Sequence, residues 1–201
     1  MGFKSFRMSV SWTRLFPTGL EETPDPEGVE FYHNVFRELH KYGIEPLAHL
    51  TCINSSMKDV DEMIRRFAEA DIENVLALRG DIVPDVAIKR EFEHSNELAI
   101  EVQRNSGLQI LGACYPEGHT ESKNLIEDIH NLKYKIGAGA KVLITQLFFD
   151  NQKFYEFIAA ARNLGVNVPV SAGIMPITNI KYNFTSSAEA LSGTENVTSS
   201  Y

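Results

Sequence analysis

Short apolar segments alternate with amphipathic segments along most of this chain, and this alternation restricts the fold more than any other feature. The apolar segments are typical of strands and lie at residues 6–12, 44–52, 74–79, 108–115, 142–149 and 168–174. Between them, apolar residues recur at helical spacing, as in Val60, Met63, Ile64 and Phe67. Strands that alternate with helices pair in parallel through right-handed crossovers. The sequence therefore predicts an α/β protein with about six parallel strands.

The number of strands leaves two architectures open, an open doubly wound sheet and a closed barrel. A complete (β/α)₈ barrel needs eight strands and typically about 250 residues. The chain has 201 residues and six strand segments, so it falls short of a complete barrel by roughly one or two units. Residues 182–201 are rich in Ser, Thr and Asn and lack apolar periodicity, which predicts a poorly ordered tail.

Charge and cysteine content exclude several classes of function. A net charge of −8 argues against a general nucleic-acid binder, because such proteins need excess Lys and Arg. Cys52 and Cys114 form no C-x-x-C pair, and the histidines show no H-E-x-x-H spacing, so we expect no metal. The sequence contains no signal-peptide core and no apolar run of membrane-spanning length. We therefore expect a cytoplasmic protein without a membrane partner.

Polar residues recur where the predicted strands end. Parallel α/β folds place their chemistry at the carboxyl ends of strands, although such residues can also simply begin exposed loops. A buried His or Gln there needs a hydrogen-bond partner that a ligand can supply. The pattern favours a small-molecule pocket, and its residues are Arg14, His49, Thr51, Arg79, Asp81, Tyr115, Glu117, His119, Gln146 and Asp150.

Two local patterns add to this interpretation. Arg79-Gly80-Asp81 offers a cation, a carboxylate and a glycine that permits close backbone approach, but it also fits a tight turn with a local ion pair. Asp128, Asn131 and Lys135 fall on adjacent turns of one helix face, which suits either a ligand or solvent. No glycine-rich phosphate loop and no G-x-S-x-G motif is present.

Two stretches of the chain resemble two different barrel families. Residues 48–181 resemble methylenetetrahydrofolate reductase, a flavin-dependent (β/α)₈ barrel enzyme, in the runs AHLTCINSS, NVLALRGDI, GACYPEGHTESK, ITQLFFDNQKFYEF and GIMPITNIK. Residues 1–47 resemble glycoside hydrolase family 1, especially the 6-phospho-β-glucosidases, in GFKSFRMSVSWTRLFPTG and EGVEFYHNVFRELHKYGIEPL. The resemblance implies a chimera that contains strands two to seven of a TIM-type barrel, which self-association could complete.

The reductase resemblance implies FAD as cofactor and a set of residues that hold it. Asp81 and Gln146 match positions that face the folate, and we expect them to be catalytic. His94-Ser95 departs from the family's usual Tyr-Ala, and Ser11 is the candidate to replace a flavin-contacting Thr of the family's second strand. The implied cofactor-binding residues are His49, Arg79, Gly80, Asp81, His94, Ala113, Tyr115, His119, Asp128, Asn131 and Lys135.

Three functions remain open at this point. The first is an oxidoreductase that passes hydride from reduced nicotinamide through FAD to 5,10-methylenetetrahydrofolate. We expect this activity to be impaired, because the family's first strand, with its Glu proton donor, and its last strand have no counterpart here; Glu117 is the candidate replacement acid. The others are a non-catalytic FAD-binding module and a recombined or engineered scaffold.

The expected partners follow from the same resemblance and from the sheet. They are the small molecules folate and reduced nicotinamide, together with further copies of this chain, since six strands leave two open edges. We expect no glycosidase activity, because the two carboxylates that this reaction needs lie on later strands of that family.

Overall fold

The computed structural model describes residues 3–15, 24–53, 55–80 and 91–174, and strands and helices alternate within them. The strands are β1 (Ser5–Ser9), β2 (Glu45–Thr51), β3 (Asn74–Leu78), β4 (Gln109–Cys114), β5 (Ala140–Thr145) and β6 (Val170–Ser171). The helices are α1 (Trp12–Leu15), α2 (Pro26–Lys41), α3 (Met57–Glu69), α4 (Ser95–Asn105), α5 (Leu125–Gly137) and α6 (Asn151–Asn163).

The six strands form one sheet in the order β1-β2-β3-β4-β5-β6. The pairs β1–β2, β2–β3, β3–β4 and β5–β6 are parallel. Each strand lies beside its neighbour in sequence, without the reversal of order that defines a doubly wound sheet. This order is that of consecutive βα units of a barrel, so the predicted fold class, a partial TIM-type barrel with six parallel strands, is confirmed.

The chain divides into two compact units. The first comprises Met1–Ala113 and Tyr134–Val142, and the second comprises Cys114–Lys133 and Leu143–Tyr201. In the first unit, a continuous core forms between the sheet and the helices, and its members include Leu50, Val60, Phe67, Val75, Leu98 and Val102, each at most 2% exposed. Burying a side chain of this size contributes about 1.5–3 kcal/mol.

The second unit has its own buried residues. Ile129 and Leu132 on α5, Leu143 on β5 and Phe157 on α6 are fully buried, and Thr145 is 1% exposed. Thr145 Oγ1 accepts a hydrogen bond from Gly173 N at 2.8 Å, which satisfies its buried hydroxyl oxygen. Leu143 N donates to Pro169 O at 2.9 Å beside the short strand β6.

The helix boundaries follow from local chemistry that the sequence shows. Ser56 caps α3 in a capping box, in which its hydroxyl accepts from Asp59 N at 3.2 Å and the Asp59 carboxylate accepts from Ser56 N at 2.7 Å. Asp25 caps α2 by accepting from Gly28 N, with Pro26 in the first turn. Gly43 follows this helix with a φ of +63°, the left-handed conformation that commonly ends helices.

The first predicted strand is wrong at its carboxyl end. β1 stops at Ser9, although the alternation of apolar residues continues to Trp12, where α1 begins. The backbone turns because Arg14 N and Leu15 N both donate to Ser11 O, at 3.1 and 3.3 Å. The alternation of apolar residues alone does not predict this helical turn.

Two other predicted strands are shorter than expected. β5 ends at Thr145 rather than at residue 149, because the apolar Phe148 lies beyond the strand and stacks on Phe154 of α6 with ring centroids 4.8 Å apart. β6 is two residues long. The predicted tail at residues 182–201 lies outside the described residues.

Candidate functional site

His49 occupies the carboxyl-terminal half of β2 and makes a hydrogen bond to the neighbouring strand. In the parallel register of β1 and β2, Ser9 is the direct partner of His49. Ser9 Oγ lies 3.0 Å from His49 Nδ1. The other ring nitrogen, Nε2, is buried and has no hydrogen-bond partner among the residues that the structure describes. A buried polar atom without a partner is energetically unfavourable, and a ligand can satisfy it.

The surroundings of His49 keep its ring neutral. Burial, and to a smaller extent the positive charge of Arg7, lower the pKa of His49 to about 4. At neutral pH the ring therefore carries one proton, with one nitrogen as donor and the other as acceptor.

The Arg79-Gly80 segment lies against the end of β2. Ile53 N donates to Arg79 O at 2.7 Å. Gly80 has a φ of +87°, and a Cβ there would come within 2.8 Å of Ile53 Cγ2 and 3.2 Å of Thr51 Cβ. The tight turn considered from the sequence is therefore present, and only glycine fits this position without displacing Ile53. Asp81 lies outside the described residues.

Cys52, beside this turn, has an unreactive thiol. Cys52 is fully buried, and its N donates to both Leu78 O and Arg79 O at 3.2 Å. Burial, followed by the negative charge of Glu97, raises the pKa of the Cys52 thiol to about 11. The thiol is therefore protonated at neutral pH and a poor nucleophile.

Lys135 and His94 complete the predicted residues of the first unit. Lys135 Nζ donates to Ala113 O at 2.8 Å, which places the ammonium group at the end of β4. His94 is exposed and caps the start of α4, where its backbone N donates to the Glu97 carboxylate at 3.2 Å. The structure thus gives His94 a position in helix capping, in contrast to the strand-end position of His49.

In the second unit, the loop after β4 is organised around a buried carboxylate. Asp128 is 4% exposed and accepts hydrogen bonds from His119 N at 3.2 Å and from Ser122 Oγ at 3.3 Å. The rings of Tyr115 and His119 meet edge to face, with centroids 4.7 Å apart. Asn131, one helical turn after Asp128, is exposed. Asp128 therefore fixes the loop that carries Tyr115 and His119.

Two further residues of this unit differ from expectation. Gln146 was expected to be buried within an apolar strand, but its side chain is exposed, because β5 has already ended, and its backbone N donates to Cys114 O at 2.7 Å. Glu117, the candidate proton donor, forms an ion pair with Lys153 at 2.9 Å. The hydrogen bond that the Lys153 ammonium donates to this carboxylate raises the pKa of Lys153.

Sequence reasoning missed Ser9 and Lys153, the partners of His49 and Glu117. Each residue is 36 or more positions from its partner in sequence, so no local pattern links the two. The signal for Ser9 was its place in the β1 alternation, which becomes informative only when the register against β2 is known.

The described residues contain neither a metal-binding cluster nor a membrane-spanning helix. Within the described ranges, no three His, Cys, Asp or Glu side chains are grouped so as to hold a metal ion. The helices in that same part of the chain include none that is long and apolar enough to cross a membrane.

Comparison with protein families identifies two matching models. The model described as methylenetetrahydrofolate reductase matches residues 28–195, and the model described as glycosyl hydrolase family 1 matches residues 1–54. The two matches overlap at the junction that the sequence resemblance placed near residue 47, and together they fit a chimera.

Three relatives named methylenetetrahydrofolate reductase match the larger part of this chain. The chain is 34% identical over 150 residues to 5,10-methylenetetrahydrofolate reductase of Pectobacterium carotovorum subsp. carotovorum, covering 74% of this chain and 50% of the relative. It is 33% identical over 150 residues to the Escherichia coli (strain K12) protein of the same name, with the same coverage. It is 35% identical over 141 residues to methylenetetrahydrofolate reductase 1 of Schizosaccharomyces pombe, covering 68% of this chain and 23% of the relative. The chain therefore spans about half the length of the bacterial relatives.

Proposed function

This chain belongs to the methylenetetrahydrofolate reductase family, and from that membership we propose that it is an oxidoreductase that uses FAD to transfer hydride from NADH or NADPH to 5,10-methylenetetrahydrofolate. Such an enzyme would act in one-carbon metabolism, on the route to methionine, in the cytoplasm. The observation that supports the proposal most strongly is the buried Nε2 of His49, which lacks a partner among the described residues.

The residues of the first unit fit a flavin. An FAD molecule carries carbonyl and phosphate oxygens that accept hydrogen bonds, and a neutral imidazole offers a donor to such atoms. Gly80 keeps the turn that follows β3 close against the end of β2, because a Cβ at this position would meet Ile53 and Thr51. We assign the Arg79 guanidinium and the Lys135 ammonium to the pyrophosphate, for which charge-assisted hydrogen bonds are favourable.

In the second unit, we assign Tyr115 and His119 to flavin contacts and Asp128 to a supporting role. Asp128 accepts from His119 N and Ser122 Oγ, so it holds the loop rather than offering its carboxylate to an anion. We retain Asn131 as a polar contact and Asp81 and Gln146 as the residues that face the folate. His94 remains assigned to the cofactor only by its sequence position.

Bound FAD would supply the hydride chemistry, which is a property of the cofactor. The chain's own residues would bind it, orient it and neutralise its phosphates. Glu117 is already engaged by Lys153, and proton donation to the folate from this residue would require that ion pair to open.

The proposal is tested by titrating the purified chain with FAD and following the quenching of flavin fluorescence. We expect a Kd in the micromolar range or tighter, and weaker binding of riboflavin, which lacks the phosphates. Lys135→Met should weaken FAD binding more than riboflavin binding. Lys133→Met, at an exposed position of the same helix, is the matched control and should leave both unchanged. Absence of saturable FAD binding to the wild-type chain would refute the proposal.

A further inference from the structure

The Ser9–His49 hydrogen bond joins the two parts of the chimera. Ser9 lies in the part that matches glycosyl hydrolase family 1 alone, whereas His49 lies in the overlap that both family models match. The contact is fixed by the backbone, because the two residues are register partners in the parallel pair β1–β2. The junction therefore brings a hydroxyl from one family beside a histidine assigned to the cofactor in the other.

The chain after β1 is also held in place. Ser11 N donates to the Tyr32 hydroxyl at 2.7 Å, and Tyr32 is buried against the core. This anchor lies two residues after Ser9, so it holds the backbone at the end of β1 against α2. The backbone of Ser9 is therefore held by its pairing with β2 and by the Tyr32 hydrogen bond two residues later.

An open depression adjoins the same strand end. It has a volume of about 420 Å³ and is lined by Met8, Ser9, Ser11, Arg14, Phe31 and Tyr32. A ligand can therefore approach Ser9 from solvent, while the Nε2 atom of His49 is buried. Ser9 itself is exposed, so water can partly replace its hydroxyl.

A neutral imidazole has one donor and one acceptor, and the partner of one nitrogen decides which role is left for the other. Burial and Arg7 keep His49 neutral by lowering its pKa to about 4. If the Ser9 hydroxyl donates to Nδ1, the ring proton must be on Nε2. If instead Nδ1 carries the proton, Nε2 becomes an acceptor and cannot serve a carbonyl or phosphate oxygen.

We infer that Ser9 is a positioning residue: its hydroxyl donates to Nδ1 of His49, and this bond fixes the ring with a proton on the buried Nε2, as the donor for an acceptor oxygen of the flavin. The inference rests on the proposed function for the identity of the ligand. The state of the imidazole is a property of the chain without any ligand and can be measured separately.

The first experiment measures the tautomer in the ligand-free, ¹⁵N-labelled full chain at neutral pH. Long-range proton–nitrogen correlation spectra distinguish a protonated ring nitrogen from an unprotonated one, and His49→Gln identifies the His49 signals among the six histidines. We expect Nε2 to be protonated and Nδ1 unprotonated. Ser9→Ala should shift these signals towards a mixture of tautomers, and Ser9→Thr, which keeps the hydroxyl, should restore them. Ser5→Ala, at an exposed position of the same strand, is the control and should change nothing.

The second experiment measures FAD affinity of the same variants. Loss of one exposed hydrogen bond should weaken binding about three- to tenfold in Ser9→Ala, with recovery in Ser9→Thr. A wild-type ring protonated on Nδ1, ring signals unaffected by Ser9→Ala, or unchanged FAD affinity in a variant whose tautomer has changed would each overturn the inference. If the wild-type chain shows the expected tautomer but binds no FAD, the proposed function fails while the effect of Ser9 on the ring stands.

Discussion

The carboxylate of Asp128, buried at the start of α5, accepts a hydrogen bond from the backbone N of His119, nine residues earlier in the chain. It also accepts from Ser122 Oγ. This single side chain therefore fixes the loop that presents the Tyr115–His119 ring pair. A residue that resembles a ligand contact in the sequence acts in the structure as the support of a loop.

Asp128→Ala should therefore both destabilise the chain and weaken FAD binding. The variant leaves the His119 N–H and the Ser122 hydroxyl without their acceptor, which costs about 1–3 kcal/mol of unfolding free energy. Asp128→Asn keeps one acceptor oxygen and should therefore lose less stability and less FAD affinity than Asp128→Ala. Urea unfolding and FAD titration of both variants measure the two effects. Equal FAD affinity in Asp128→Ala and the wild type would contradict the supporting role.

Gly80→Ala should be more harmful than a glycine substitution at another left-handed position. Gly80 and Gly118 have similar φ values of +87° and +85°, but only Gly80 is crowded, with Ile53 Cγ2 at 2.8 Å from an added Cβ. Backbone strain alone costs about 1–2 kcal/mol. We expect the free energy of unfolding, measured in urea, to fall by about this much in Gly118→Ala and by more in Gly80→Ala. FAD binding should weaken in Gly80→Ala alone. Equal losses would show that Ile53 moves aside freely.

Stability should fall as the pH drops from 6.5 towards 4, partly because of His49. Burial, and then Arg7, lower the pKa of this residue from 6.5 to about 4, so in this window the unfolded chain binds a proton that the folded chain does not. The free energy of unfolding therefore rises with pH. The contribution of His49 is about 1–2 kcal/mol once solvent screening reduces the full effect of the shift.

The variant His49→Asn isolates this contribution from that of the carboxylates. It removes the titrating group, so the difference in unfolding free energy between wild type and variant should change between pH 4 and pH 7. A difference that is constant across this range would contradict a His49 ring that stays neutral in the folded chain. Thermal unfolding at four or five pH values is sufficient for the measurement.

β1 should mediate self-association. It is the first strand in the sheet order, and within the described residues it pairs only with β2, while Phe6 is 50% exposed. An unpaired strand edge with an exposed aromatic residue is a template for pairing with another chain. We expect light scattering to report a dimer at tens of micromolar, and Phe6→Lys to shift the equilibrium to the monomer. A wild-type monomer at that concentration would contradict this expectation.

Sequence patterning predicted the elements of this fold better than the contacts of its site. The period of apolar residues is a local signal, so the apolar face of α3 and the central strands lie close to their predicted positions. The end of β1 was not predictable, because the alternation of apolar residues continues past the point where hydrogen bonds to Ser11 O turn the backbone into α1. The apolar Phe148 likewise made the predicted β5 too long, because its burial comes from stacking on Phe154 of α6 and not from a place in the strand.

The site residues were chosen correctly as strand ends in several cases, but their partners depend on tertiary structure. Ser9 reaches His49 only through the β1–β2 register. Asp128 was one of three polar residues on a helix face, yet it is buried while Asn131 is exposed. Helical spacing predicts which residues share a helix face, but it does not predict how neighbouring loops cover that face.

The most direct test of the central claim is anaerobic mixing of the FAD-reconstituted chain with NADH or NADPH, followed by addition of 5,10-methylenetetrahydrofolate. The account predicts that reduced nicotinamide bleaches the visible flavin absorbance and that the folate restores it. A chain that binds FAD but is neither reduced by nicotinamide nor reoxidised by the folate would contradict the assignment as a reductase and would leave a flavin-binding module.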